Sequence, residues 1–171
     1  MRQSHSRSRR STTQRAPGGA ASSANLRAQL KNQLRTSWRS LCPLNASVEI
    51  LGDRWSLLIV RDMMLRGFRS YKQFLDSYER IATNILADRL RRLEENGIIV
   101  AEKDPSDGRK VAYFLTAKGM DLAPVLTEMV LWAASHEDVE NQALVREIQK
   151  DKAKFLSTIR DRWLAARPGA S

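Results

Sequence analysis

The side chains best suited to chemistry lie in one segment, IATNILADRLRRLEENG, which runs from Ile81 to Gly97. Leu86, Leu90 and Leu93 recur at spacings of four and three, which predicts an α-helix with one apolar stripe facing a core. The opposite face then presents an amide, carboxylates and guanidinium groups, which hydrogen-bond to the base edges and phosphates of nucleic acid. That face comprises Asn84, Asp88, Arg91 and Glu95, with Ala87 and Arg92 at its flanks.

Two of these side chains match particular bases. Asn84 is suited to bidentate hydrogen bonding with adenine and Arg91 with guanine, each worth roughly 1 to 3 kcal/mol of discrimination. Arg89 lies about 60° from the apolar stripe, so we expect it to contact a phosphate or to form a structural salt bridge. The alternative for the whole face is an ordinary solvated helix surface, held by i, i+4 pairs such as Asp88 with Arg92.

The segment before this helix predicts a second, shorter helix joined to it by a tight turn. Ser70 is placed to cap a short helix that ends near Tyr78. Thr83 is then the expected N-cap of the longer helix, which stops at Asn96-Gly97 because glycine readily adopts a left-handed conformation. Two helices in this order, the second with a polar and basic outer face, are typical of a helix-turn-helix, in which the second helix enters the major groove.

The segment after the helix predicts a β-hairpin. Residues 98–103 and 110–115 are β-prone, and the Pro, Asp and Gly residues between them favour a turn. Such a hairpin is a candidate wing, and basic side chains at its tip could enter a minor groove or meet a phosphate. These side chains are Lys103, Arg109 and Lys110.

Further apolar segments predict helices on both sides of this domain. Residues 54–65 are apolar nearly all round, which indicates a central buried helix, and a short helix precedes it. Thr116 is expected to cap a long helix that Pro124 kinks, and one more helix is predicted over residues 139–166. Because the flanking helices are too apolar to stand alone, we expect them to pair across a dimer axis.

Nearly all of the net charge of +10 comes from the N-terminal segment, since residues 1–40 hold nine Lys and Arg and no Asp or Glu. Residues 1–24 lack apolar periodicity, which predicts a disordered basic arm that either contacts phosphates or is a solvated tail. Leucines at every fourth position then predict a helix. The expected organisation is the arm (1–24), an N-terminal helix (25–41), a winged helix-turn-helix domain (42–135) and a C-terminal helical extension (136–171).

Composition excludes several classes of function. The sequence has no Gly-rich phosphate loop, no nucleophile elbow and no distinctive carboxylate pair, so we expect neither an enzyme nor a cofactor. Cys42 is the only cysteine and there are two histidines, which argues against a metal site and excludes a disulfide within the chain. Without an apolar run of 18 residues or a secretory signal, we expect a cytoplasmic protein with no membrane partner.

Several segments together resemble the HxlR family, which is related to the MarR group of bacterial transcription factors. The matching segments are Cys42-Pro43, LGDRWSLLI (51–59), IATNILADRLRRLEENG (81–97) and YFLTAKG (113–119). The resemblance implies a mainly α fold with a small β-hairpin, in which N- and C-terminal dimerisation helices flank the winged helix-turn-helix domain. It also implies a homodimeric regulator, expected to be a repressor, that binds double-stranded DNA at a palindromic operator.

The family's functional positions can be carried over to matching residues. By this resemblance, the recognition helix would meet DNA through Thr83, Asn84, Ala87, Asp88 and Arg91. Ser70, Tyr71 and Lys72 would meet the DNA backbone, and Arg109 would be the wing contact. The sequence names no small-molecule effector. It also departs from the family at both ends, where the first helix starts earlier and the last helix extends further.

Cys42 carries two open interpretations. In some members of the family, an equivalent cysteine before proline senses oxidants or electrophiles, and a lone cysteine would then form a bridge between subunits, a mixed disulfide or an adduct. The alternative is a half-buried small hydrophobic residue at a helix boundary. A winged-helix module that binds proteins rather than DNA is a second functional alternative, because a fold does not determine a function.

Overall fold

The computed structural model describes residues 40, 42–103, 107 and 110–166. The basic arm predicted over residues 1–24, nearly all of the helix predicted over 25–41, and Arg109 at the hairpin tip lie outside the described residues.

Helices dominate the described part of the chain, and one two-stranded antiparallel sheet accompanies them, as predicted. The helices are α1 (Pro43–Leu51), α2 (Arg54–Leu65), α3 (Tyr71–Leu75), α4 (Thr83–Glu95), α5 (Ala117–Met120), α6 (Ala123–His136), α7 (Gln142–Lys150) and α8 (Lys152–Ala165). The strands, β1 (Ile99–Lys103) and β2 (Val111–Leu115), lie between α4 and α5.

Helix α2 is the centre of the core, as its nearly uniform apolar sequence predicted. Its N-cap is Asp53, whose carboxylate accepts hydrogen bonds from the backbone amides of Trp55 and Ser56. Val60 and Met63 are fully buried. Capping by Asp53 satisfies amides that have no partner within the helix, so α2 begins at a defined residue.

The helix-turn-helix consists of α3, a short turn and α4. Ser70 caps α3 as predicted, in a capping box with Gln73. Helix α3 ends at Leu75, however, three residues earlier than predicted. The expectation that Thr83 caps α4 is wrong, because Ala82 occupies that position and Thr83 is already helical. Ile81 is buried in the core, so the chain enters α4 directly after it.

The wing is anchored to the helix-turn-helix by a contact that the sequence did not predict. Strand β1 pairs with β2 in a register that places Ile99 opposite Leu115. Ser70 forms an isolated antiparallel bridge with Ala112. The amide of Tyr113 also donates to the carbonyl of Arg69 at 2.7 Å. The segment before α3 therefore lies along the outer edge of β2.

Two helix predictions after the wing are wrong. The helix capped by Thr116 is only the short α5, and Pro124 lies in the first turn of α6 rather than at a kink. Proline is well accommodated in a first turn because its missing amide would have no helical partner there. The helix predicted over 139–166 is divided at Asp151, whose side chain accepts a hydrogen bond from the amide of Lys154 and thereby caps α8.

Helix α8 packs against the winged domain of its own chain. Phe155, Ile159 and Trp163 are buried in the core, and the indole Nε1 of Trp163 donates to the carbonyl of Leu115 at 2.8 Å. The described residues from Cys42 onward form one compact unit. Much of the apolar surface predicted to require a second subunit is therefore covered within the chain.

Some apolar side chains do remain at the surface. Among them are Leu44 and Val48 on α1, Val125, Met129 and Trp132 on α6, and Leu164 on α8. Among the described residues, none of the helices is long and apolar enough to span a membrane.

Candidate nucleic-acid interface

The outer face of α4 is exposed as its periodicity predicted. Leu86, Leu90 and Leu93 are at most 2% exposed, so the apolar stripe lies fully in the core. The opposite face carries six of the predicted site residues. Thr83, Asn84, Ala87 and Arg91 are exposed, and Asp88 and Arg92 are half-buried.

Arg91 is held by two carboxylates of its own helix. Its Nη2 lies 2.6 Å from Asp88 Oδ1 and its Nη1 lies 2.7 Å from Glu95 Oε1. The hydrogen bond from Arg91 lowers the pKa of the Asp88 carboxyl, and the same bond, together with the one to Glu95, raises the pKa of Arg91. The pair expected between Asp88 and Arg92 is thus replaced by a pair with Arg91. These contacts are solvent-exposed and readily exchanged, because water screens them.

Arg89 has a structural contact. Its Nε lies 3.1 Å from Asp53 Oδ1, and its Nη1 lies 3.4 Å from Asp88 Oδ2. Its side chain is only 18% exposed. Of the two roles expected for Arg89, the structure shows the salt bridge, which joins the middle of α4 to the N-cap of α2.

Three residues predicted to contact the DNA backbone lie at the start of α3, and their side chains differ in the partners they already have within the chain. The hydroxyl of Ser70 caps the helix, so it already has a partner. The hydroxyl of Tyr71 donates to the carbonyl of Thr83 at 2.7 Å, which connects α3 to the first turn of α4. Lys72 is exposed in the first turn of α3. Of the three, Lys72 has the charged group accessible to a phosphate.

The wing brings basic side chains to the ends of its two strands. Lys103 is the last residue of β1, Lys110 directly precedes β2, and both are exposed. Lys110 Nζ lies 3.7 Å from Asp107 Oδ2. The amide of Ala101 donates to Glu94 Oε1 at 3.3 Å, so β1 is tied directly to α4.

A network of charges around the buried Asp62 supports the turn, and it was not predicted from the sequence. Glu79 in the turn pairs with Arg61 at 3.0 Å and with Arg54 at 3.2 Å. Partial burial raises the pKa of the Glu79 carboxyl, but the hydrogen bonds from Arg61 and Arg54 outweigh it and lower that pKa overall. Asp62, which is 3% exposed, pairs with Arg61 and accepts a hydrogen bond from Ser77 Oγ. The adjacent charges of Arg61 and Asp62 in a largely apolar helix were the available signal.

The TAKG segment fixes the position of the wing relative to α4. Thr116 Oγ1 donates to the carbonyl of Gly97 at 2.7 Å, and Lys118 Nζ donates to the carbonyl of Asn96 at 2.7 Å. A Cβ on Gly119 would lie 2.1 Å from the carbonyl oxygen of Ile98. Only glycine therefore permits this approach between α5 and the start of β1.

A helix-turn-helix with an amide and guanidinium face on its second helix, followed by a two-stranded wing, is the architecture of winged-helix transcription factors. Residues 50–141 match the HxlR-like helix-turn-helix family, and the chain belongs to that family. It is accordingly a transcriptional regulator of the HxlR type and not an enzyme.

Individual relatives agree with this assignment. The chain is 38% identical to the helix-turn-helix-type transcriptional regulator sll1512 of Synechocystis, over 52% of this chain and 65% of the relative, which is less than two thirds of it. It is 35% identical to the transcriptional regulator YodB of Bacillus subtilis, over 55% of this chain and 84% of YodB.

Solved structures show the same fold. One is PA1607, described as a candidate transcription factor, which is 36% identical with a TM-score of 0.54 over 60% of this chain and 72% of PA1607. Another is the oxidised form of the redox regulator HypR, which is 29% identical with a TM-score of 0.51 over 57% of this chain and all of HypR.

Proposed function

We propose that this protein is a homodimeric repressor that binds a palindromic DNA operator and places α4 of each subunit in the major groove. The observation that carries this proposal is the exposed face of α4, where Thr83, Asn84, Ala87 and Arg91 lie together in the second helix of a helix-turn-helix. In that architecture, the second helix reads base edges while its neighbours contact the backbone. Lys72 and the wing lysines supply the backbone contacts.

Asn84 and Arg91 are the proposed base-reading residues. The Asn84 side chain has no hydrogen-bond partner within the described part of the chain and is therefore free to bind adenine. Arg91 binds guanine by exchanging at least one of its two carboxylate partners. Breaking an Arg91–carboxylate contact offsets part of the favourable free energy of binding. Substitution of Asn84, which breaks no such contact, therefore tests base readout more directly.

The second subunit is proposed to cover the apolar side chains that remain exposed on α1 and α6. Trp132 is 63% exposed and Met129 is 48% exposed, and aromatic residues and methionine are enriched at protein interfaces. A two-fold axis would repeat the recognition helix about one turn of DNA away, roughly 34 Å, which explains why the operator is proposed to be palindromic.

Cys42 is proposed as a thiol switch. It is exposed and directly precedes α1, and the structurally similar HypR is described as a redox regulator. Two Cys42 thiols and one peroxide would give one intersubunit disulfide and two waters. Mild peroxide should therefore produce a covalent dimer in a non-reducing gel and change operator affinity, and Cys42→Ser should abolish both effects. Native protein whose mass and affinity are both unchanged by peroxide would exclude the switch.

The decisive experiment is selection of duplexes from random DNA, followed by fluorescence anisotropy at two salt concentrations. We expect a palindromic consensus. Asn84→Ala should lose discrimination at one position in each half-site, by roughly 5- to 150-fold for a loss of 1 to 3 kcal/mol. Arg146→Ala is the matched control, because Arg146 is exposed on α7, away from this face.

Two results would contradict the proposal. One is binding without sequence preference that Asn84→Ala leaves unchanged, which would assign DNA affinity to charge alone. The other is the absence of any salt-dependent DNA binding, which would favour a protein-binding module.

A further inference from the structure

A cleft of about 510 Å³ lies between helix α8 on one side and the end of α2 and strand β2 on the other. Its walls combine apolar side chains, among them Met63, Phe114 and Trp163, with a polar surface of similar extent. Three guanidinium groups contribute to that polar surface, those of Arg66, Arg69 and Arg162. Among the described residues, no Asp or Glu lines the cleft, so it is a cationic site that also offers apolar contacts.

Arg69 is a half-buried cation with no carboxylate partner among the described residues. Its Nη1 donates to the carbonyls of Phe68 at 3.0 Å and Met63 at 3.2 Å, and its guanidinium lies over the Phe114 ring at 5.6 Å. It forms no ion pair with any described residue. Burial accordingly lowers the pKa of Arg69, with no carboxylate to offset the loss of water. A half-buried cation of this kind is stabilised by an anion that enters the cleft.

The two other arginines differ in availability. Arg66 Nε lies 3.5 Å from the buried carboxylate of Asp62, so this cation is already partly neutralised. Arg162 is exposed on α8 and, like Arg69, has no ion-pair partner within the described part of the chain. Two guanidinium groups from different elements therefore line one cleft without a counter-ion.

We propose that this cleft binds a small organic carboxylate with an apolar, preferably aromatic, body. The planar fork of arginine matches a carboxylate, which Arg69 and Arg162 would hold from opposite sides. Phe114 and Trp163 would contact the apolar body, and the volume is that of an ordinary small-molecule pocket. Arg162 and Trp163 lie beyond the region matched by the family, residues 50–141, so the C-terminal extension of this chain supplies one side of the site.

Occupation of the cleft should change DNA binding, a step that rests on the proposed function. Phe114 belongs to strand β2 of the wing, and Arg69 lies two residues before α3, where its carbonyl accepts a hydrogen bond from that strand. A ligand held by Arg69 and Arg162 would link the wing and the helix-turn-helix to α8. We expect operator affinity to change at least five-fold, in the range of ordinary allosteric coupling.

The binding step can be tested on the full chain without DNA. The indole N–H of the Trp163 side chain gives a local signal in ¹H–¹⁵N NMR spectra, and 1-naphthylacetate is the ligand used as the probe. We expect a saturable shift of that signal, and binding of the neutral 1-naphthylacetamide at least ten-fold weaker. The absence of a shift up to about 5 mM would overturn the site, because an affinity that weak carries no specific recognition. Equal affinity for the acid and the amide would overturn it too, because the carboxylate would then not be recognised.

A matched pair of variants on α8 tests the assignment of residues. Arg162→Gln should weaken binding of the acid at least five-fold, whereas Arg160→Gln should not change it, since Arg160 is exposed on the same helix but does not line the cleft. Arg162 is chosen for substitution rather than Arg69, because changing Arg69 also removes a hydrogen bond to the end of α2. Equal binding by native protein, Arg162→Gln and Arg160→Gln would overturn the proposal.

Operator anisotropy with and without 1-naphthylacetate tests the regulatory step. An operator affinity that the probe leaves unchanged would overturn the coupling and leave the ligand site standing. Protein that binds the acid but no DNA would refute the proposed function instead, so failures of the two proposals are distinguishable.

Discussion

Arg89 and Arg91 are two residues apart on α4, and burial gives them different roles. Arg89 lies against Asp53 with little exposure, and its charge is committed to holding α4 on α2. Arg91 is exposed, and its partners Asp88 and Glu95 are on the same helix and are accessible to water, Asp88 less so than Glu95. Removal of Arg89 would leave Asp53 without its cation, whereas removal of Arg91 would leave carboxylates that water solvates well. The buried arginine therefore serves the fold, and the exposed one is available to DNA.

Tyr71 provides a test at the scale of a single hydroxyl. Tyr71→Phe removes the hydrogen bond to the Thr83 carbonyl and should cost about 1 kcal/mol, which lowers Tm by about 3 °C. Operator affinity should fall as well, because the first turn of α4 loses its link to α3. Thermal unfolding and anisotropy measure the two effects.

Tyr113→Phe is the control for Tyr71→Phe. The Tyr113 hydroxyl has no hydrogen-bond partner within the described residues, so its loss should change the free energy of unfolding by less than about 0.5 kcal/mol. If both variants lose stability equally, the Tyr71 contact does not position α4.

At the scale of elements, the sequence patterns predicted those features that depend on residues close together in the chain. Leu86, Leu90 and Leu93 revealed the buried stripe of α4, and the Ser70 cap was correct, because periodicity and capping act within a few residues. The exposure of the opposite face of α4 was predictable for the same reason.

Contacts between distant segments were not predictable from sequence patterns. Trp163 donates to Leu115, 48 positions earlier, and Arg69 pairs with a strand that begins some forty residues after it. No periodicity encodes such separations. The predictions at Pro124 and Asp151 were wrong for a related reason. A proline is compatible with the first turn of a helix as well as with a kink. An aspartate can separate two helices by capping the second, or it can lie on the surface of a single helix.

At the scale of the whole molecule, the exposed side chains of α6 form the surface through which we propose that two chains assemble. Trp132→Lys should convert the proposed dimer into a monomer and lower operator affinity, because a charge would be buried at the interface. The stability of the monomer should change by less than about 0.5 kcal/mol, since Trp132 is exposed. Sedimentation equilibrium should give near twice 19.4 kDa for the native chain and 19.4 kDa for the variant.

Leu164→Lys serves as the control for Trp132→Lys, because Leu164 is also an exposed apolar residue but lies on α8. It should sediment as the native protein does. A native chain that sediments as a monomer, or a Trp132→Lys variant that remains a dimer, would refute the proposed interface on α6.

The contribution of α8 to the core also constrains the order of events during synthesis. Synthesis of α4 is complete at Glu95, but Phe155, Ile159 and Trp163 are added some 60 to 68 residues later. At about 5 to 20 residues per second, this delay lasts on the order of 3 to 14 s. During that time the nascent chain carries a complete α4 on an unfinished core, and the apolar surface that α8 covers in the folded protein remains exposed. Chaperone engagement should therefore concentrate in this interval.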